Sequence, residues 1–139
     1  MVKRILVGVD FSEASRKALA TAHEWAGRLG LPVTAFHVLQ VPAPPLPEAE
    51  SLGILSADWR EKLMEHAVEQ LEAWAQPFAG TQLLVKWGRP AEALVAEADA
   101  DTLLVVASVG HSVFERMLFG GTATKVVKHA PCDVLVVRG

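Results

Sequence analysis

The sequence predicts an α/β fold: a doubly wound, five-stranded parallel sheet in the order 3-2-1-4-5, with helices on both faces. Three observations predict it. Five short apolar runs (Ile5 to Val9, Val33 to Leu39, Gln82 to Trp87, Leu103 to Val106 and Val134 to Val137) are too short for free-standing helices and read as strands buried between layers. Between them lie stretches whose apolar residues recur at helical spacing. Gly and Pro stand at most of the junctions. The alternation βαβαβαβαβ is met most economically by parallel strands with right-handed helical crossovers.

In chain order, Ile5 to Val9 is strand one, and Asp10-Phe11-Ser12 closes it with Ser12 placed to cap the next helix. Ala18, Ala22, Trp25, Ala26 and Leu29 predict that helix's buried face; Gly30 stops it and Pro32 prevents its restart. Val33 to Leu39 is strand two. Pro42, Pro44, Pro45 and Pro47 then exclude regular structure up to about Leu55, a loop long enough to suggest a cover over a site or a mobile segment. Trp59, Leu63, Ala67, Leu71, Trp74 and Phe78 recur at spacings of four and three, the stripe of a helix lying on a sheet, which Gly80 is expected to end. After strand three, Gly88-Arg89-Pro90 leads into a short helix with Pro90 at its first position, where a missing N–H costs nothing. Strand four runs into Ala107-Ser108-Val109-Gly110. Gly120-Gly121 opens a helix from Thr122 to His129 with Val126 and Val127 as its apolar stripe, and strand five follows the Pro131 break.

Composition narrows the function classes. A chain of 139 residues, half of them apolar, is expected to be one domain over 1–139, and it shows no internal repeat or low-complexity tail. The net charge of −3, with no run of Lys or Arg, argues against a nucleic-acid groove or an anionic membrane surface as main partner. The apolar run after Lys3-Arg4 ends at Asp10, too short for a signal peptide or a membrane span. One cysteine, Cys132, excludes an internal disulfide and fits a reducing cytoplasm; following a proline and preceding a strand, it is expected to pack rather than react.

Topology adds what no single motif carries. In a doubly wound sheet ligands settle at the carboxyl ends of the strands, where the winding reverses. With strands one and four adjacent, Asp10 faces Ala107 to Gly110 across that crevice, and Gly120-Gly121-Thr122 opens the next helix beside it. Glycines let backbone N–H groups approach a phosphate, and the first turn of a helix complements negative charge. A carboxylate opposite an anion cradle suits a nucleotide, with Asp for sugar hydroxyls or base amines and amides for phosphates. Taken singly, each half has a plainer explanation: Asp10 and Ser12 as a helix cap, the glycine pair as a turn.

Five separated signatures resemble the universal stress protein family in its ATP-binding branch. They are Ile5 to Asp10, His37-Val38, Gly88-Arg89-Pro90, the segment Ala107 to Gly121 with its Gly-x2-Gly-x9-Gly spacing, and His129-Ala130-Pro131-Cys132-Asp133 followed by Val134 to Val137. The resemblance spans the whole chain. It implies a role in stress response and an adenine-nucleotide site for ATP, ADP or AMP, with Mg²⁺ or Mn²⁺ accompanying the phosphates. Carried over, it implies that Asp10 holds the ribose with Val9 flanking it, that the Val38 backbone reads the adenine edge, and that Val106 and Ala107 line the adenosine. The N–H groups of Gly110, Gly120, Gly121 and Thr122 would take the phosphates. It also implies a homodimer formed through the last strand, an apolar edge that otherwise invites association. Two positions depart from the pattern: Ala107 stands at its first glycine and Gly121 at its hydroxyl residue, so Thr122 or Thr124 would supply that oxygen.

Other chemistries lack their residues. A dinucleotide oxidoreductase would carry G-x-G-x-x-G after strand one, where Asp10-Phe11-Ser12 stands, and no Gly-Lys-[Ser/Thr] marks a Walker loop. The histidines form no metal-ligand spacing; His37 and His129 read as structural, and His111, Ser112 and Arg116 as a solvated loop over the phosphates. No acid, base and nucleophile set converges on the phosphate end, so an ATPase or phosphotransferase would be weak. A nucleotide-free dimeric interaction protein is the remaining alternative.

Overall fold

The computed structural model describes residues 1–40, 57–109 and 120–139. Five parallel strands, β1 (Arg4–Gly8), β2 (Val33–Leu39), β3 (Gln82–Trp87), β4 (Thr102–Ala107) and β5 (Asp133–Val137), form one sheet in the order β3-β2-β1-β4-β5. Among the described residues the helices are α1 (Glu13–Leu29), α2 (Ala57–Ala75), α3 (Pro90–Glu97) and α4 (Gly121–His129). The expected fold class and strand order are what is observed.

Side-chain alternation along the strands divides the core into two layers. Ile5, Val7, Val9, Ala35 and Val105 face Ala18, Leu19 and Ala22 of α1 and Leu71 of α2. Leu6, Phe36, Val38, Leu104 and Val106 face the other way, against Leu94 of α3 and Val126 of α4. Strands sandwiched in this way must be apolar on both faces, which is why they read as unbroken runs. Each Leu or Ile with no exposed surface, such as Ile5, Leu6 and Leu104, contributes about 1.5–3 kcal/mol by its burial.

The helix boundaries follow local chemistry. Ser12 caps α1 by accepting the Ser15 N–H at 3.0 Å, and Gly30 ends it in the left-handed region at φ 69°, its N–H returned to the Ala26 carbonyl. Two expectations are corrected. Trp25 and Leu29, placed on the buried face of α1, are 46% and 53% exposed; the stripe that packs is Ser15, Ala18, Leu19, Ala22 and Ala26, centred one residue away. Helix α2 stops at Ala75 rather than running to Gly80, because Pro77 bars the residue before it from helical backbone. Phe78 still packs on the sheet from the turn, stacked on His23 with ring centroids 5.4 Å apart.

Cys132 packs with the α3/α4 layer, and its burial pushes the thiol pKa up, as expected of a packing residue. Among the described residues no helix is long and apolar enough to cross a membrane. The Pro42 to Leu55 segment and the loop holding His111, Ser112 and Arg116 lie outside the described residues.

Candidate functional site

Strand lengths open a crevice at the carboxyl end of the sheet. The β1–β2 ladder ends at Gly8↔Phe36 and the β1–β4 ladder at Val7↔Val105, while β2 runs on to Leu39 and β4 to Ala107. The central strand therefore leaves the sheet before its neighbours do, and a cavity of about 360 Å³ lies there. Small-molecule sites begin at about 300 Å³, so the space suits a compact ligand.

The sequence-predicted residues meet around this cavity. Val9, Asp10 and Val38 border it from β1 and β2, Val106 and Ala107 from β4, and Gly120, Gly121 and Thr122 from the start of α4. Gly110 lies outside the described residues. The predicted slot is apolar where Phe36, Val38, Leu94 and Val106 wall it, and polar at the Asp10 and Thr122 rims.

Asp10 serves the fold and faces the cavity at once. Its Oδ1 accepts the Ser12 N–H at 3.0 Å and the Ser12 hydroxyl, forming the turn that lets Ser12 cap α1. Ser15, 2% exposed, donates its hydroxyl to the Ser12 carbonyl at 3.0 Å and closes the floor behind it. The capping reading and the ligand reading of Asp10 are compatible, because the same carboxylate borders the cavity.

On β2, Val9 N–H bonds the Phe36 carbonyl at 2.9 Å, so Phe36 directs its backbone groups toward β1. By the alternation of a parallel strand, Val38 directs its N–H and C=O to the same side, past the last rung of the ladder.

Also bordering the cavity, Gly120 caps α4 with extended backbone, φ −71° and ψ 170°. Its N–H is taken by the Ser108 carbonyl, which joins the end of β4 to the start of α4. The expectation that the Gly120 amide points at phosphate is thereby corrected: this glycine borders the cavity, and its N–H is used by the fold. The amides of Gly121, Thr122 and Ala123 have no acceptor within their own helix, whereas that of Thr124 bonds the Gly120 carbonyl at 3.1 Å. The Thr124 hydroxyl also returns to that carbonyl, at 3.0 Å, so of the two threonines Thr122 is the one at the cavity. The departures are benign in backbone terms: Ala107 is ordinary strand, and a Cβ at Gly121 would meet nothing within 4 Å.

Several bordering residues were not singled out from the sequence. Gly8 lets β1 pass close to α3; a Cβ there would stand 3.0 Å from Leu94 Cδ1. A glycine inside an apolar strand run is a signal of close approach, and it could have been read. Gln40 borders the slot as the residue after β2, and Leu94 because α3 packs over β2, which no local pattern announces. Among the described residues no group of three or more His, Cys, Asp or Glu could hold a metal ion.

The model of the universal stress protein family matches residues 1–138. A universal stress protein of Thermus aquaticus is 30% identical over 146 aligned positions, covering 99% of this chain and 100% of that one. One from Methanocaldococcus jannaschii is 31% identical, covering 99% and 83%. A relative in Mycolicibacterium smegmatis is 30% identical over 96% of this chain, which spans only 45% of that protein's length. Among solved structures, the universal stress protein UspA from Lactobacillus plantarum superposes with a TM-score of 0.74 at 26% identity, covering 98% and 97% of the two chains. A universal stress protein solved in complex with cAMP shares the fold, with a TM-score of 0.62 at 22% identity over 99% and 97%.

Proposed function

The chain belongs to the universal stress protein family, and from that premise we propose that it is an adenine-nucleotide binding module of the ATP-binding branch, acting in the cytoplasmic stress response as a homodimer. One observation carries the reading: Asp10 at the end of β1 and the Gly120-Gly121-Thr122 opening of α4 border the same cavity. An acidic side chain suits ribose hydroxyls, and the amides of a helix's first turn suit phosphate oxygens. Between them the Val38 backbone would read the adenine edge, with Val9 beside the ribose and Val106 and Ala107 along the adenosine. Gly121 and Thr122 would supply the phosphate amides, with Gly110 completing the cradle. The relative solved with cAMP supports an adenine nucleotide as the ligand class.

A triphosphate would bring Mg²⁺ or Mn²⁺ on its own oxygens, with the Thr122 hydroxyl as the nearby protein oxygen. Binding rather than turnover is the function proposed. The described rim offers Asp10, already engaged by Ser12, and no base aligned on a nucleophile.

Titration calorimetry of the purified protein with ATP, ADP and AMP tests this, together with mass spectrometry of small molecules released on denaturation. The expected result is binding at about 1 μM or tighter. No heat with any of the three, and no nucleotide released, would leave the nucleotide-free interaction protein as the reading.

The dimer proposal rests on β5, an outer strand of the sheet whose residues Val134 to Val137 are only half-buried. Val137 accepts the Ser108 N–H, so odd residues of β5 bond β4 and Val134 and Val136 direct their amides outward. Val136→Pro removes an outward N–H and spares the inner ladder. It is expected to convert a dimer to a monomer in sedimentation; a wild-type monomer, or a variant that still dimerises fully, would refute pairing through this edge.

A further inference from the structure

The ladder between β1 and β2 does not fade out; a side chain ends it. His37 Nδ1 lies 2.7 Å from the Val9 carbonyl oxygen. A carbonyl only accepts, so Nδ1 carries the proton. That carbonyl is the one which, in the parallel repeat set by Val9 N–H and the Phe36 carbonyl, comes next in line for the Val38 N–H. The imidazole takes the place of the next rung.

Phe11 holds the imidazole there. Its ring lies 4.4 Å from the His37 ring, tilted by 43°, and meets Trp74 edge-on at 5.9 Å. Arg16 backs the Trp74 ring at 4.5 Å. Among the described residues Phe11 is the one non-glycine with positive φ, at 65°. Such a conformation is disfavoured for a residue with a side chain and persists only where the surroundings over-determine it. Here it swings the chain out of β1 between Asp10 and Ser12 while placing the ring on His37.

We propose that His37, braced by Phe11, is a positioning residue for base recognition: by capturing the Val9 carbonyl it ends the β1–β2 ladder one rung early and keeps the Val38 N–H turned toward the cavity. The inference rests on the adenine-nucleotide reading above. It assigns His37 no ligand contact; His37 acts through Val9 and Val38.

The readout is base discrimination, which a merely structural role would not move. The Val38 N–H would donate to adenine N1 and its C=O would accept from the 6-amino group. Hypoxanthine reverses both, so the wild-type protein should prefer ATP to ITP by about tenfold or more. His37→Phe keeps a ring against Phe11 and loses the donor. His37→Asn keeps an N–H donor at the same reach along the side chain. The ATP:ITP affinity ratio is expected to fall at least threefold in His37→Phe and to be restored in His37→Asn, with all three proteins compared by calorimetry and near-ultraviolet circular dichroism. Phe11→Leu, which keeps bulk but removes the ring face, should also lower the ratio and serves if His37→Phe does not fold. A folded His37→Phe or Phe11→Leu that retains the wild-type ratio overturns the positioning role and leaves the nucleotide reading intact. A wild-type protein that binds neither nucleotide, or binds both equally, overturns the base assignment itself.

Discussion

At the amino ends of β1 and β4, the Thr102 hydroxyl receives Arg4 Nε at 3.1 Å and the Asp99 N–H at 3.1 Å, and donates to Asp99 Oδ1 at 3.0 Å. At the carboxyl ends of the same two strands, Asp10, Ala107 and Thr122 stand around open space. A hydroxyl has one proton and two lone pairs, and Thr102, with no exposed surface, uses all three. Arg4 also donates from Nη2 to the Glu97 carbonyl at 2.7 Å, which ties the end of α3 to the sheet. The lesson is in what each end leaves over. Polar groups at the amino end are spent on one another and close the fold, whereas at the carboxyl end the strands part early and leave backbone and side chains directed into a cavity.

Substitution at the carboxyl end should therefore cost binding without stability. Gly120→Val is the largest case. The φ and ψ of Gly120 are ones valine adopts, and the N–H to Ser108 survives the change, so the unfolding midpoint should hold. An isopropyl group at the cavity would deny phosphates the amides of α4. Affinity for ATP is expected to fall by about 100-fold, the loss of one or two charge-assisted hydrogen bonds. Unchanged affinity would remove α4 from the site and blur the contrast between the two ends.

The reverse is expected at the amino end. Thr102→Val keeps shape and deletes the hydroxyl, leaving Arg4 Nε and the Asp99 N–H to find new partners. A loss of about 1–3 kcal/mol in urea unfolding should follow. ATP affinity should not change, since β4 carries the site about 16 Å away at 3.3 Å per residue. If affinity falls together with stability, the two ends are coupled through β4 and do not divide stability from binding.

How much of this was legible follows from where the information sits. Strands β2 and β3 have the boundaries the sequence suggests because Gly30, Pro32, Gly80 and Gly88 punctuate them locally. The meeting of Asp10 with Gly120-Gly121-Thr122 was legible too, since strand order alone brings those segments to one rim. Register was not. The role of His37 depends on which carbonyl lies opposite it, and a lone histidine beside a valine says nothing of that. Trp25 and Leu29 show the same limit in α1, where helical period fixes a stripe's spacing but leaves its centre to the packing of Leu19 and Ala22.

The smallest expected effect separates the two ends by pH. Hydrogen bonds from Thr102 and the Asp101 N–H, helped by Arg4 and Lys3, hold the Asp99 carboxyl below its ordinary range. A carboxylate whose pKa is lower in the folded state binds its proton more readily when unfolded. Its contribution to stability is complete above the unfolded value, near pH 4, and is lost as the pH falls through the lower folded value. Asp99→Asn keeps an oxygen to accept from Thr102 and Asp101 but cannot titrate. Its urea midpoint should therefore fall less steeply than the wild-type midpoint below about pH 4 and run parallel to it above. Asp99 is well exposed, so the difference should be slight. Parallel curves throughout the acid range would mean that the Thr102 cluster is held by hydrogen bonds alone, and that charge contributes nothing to closing this end of the sheet.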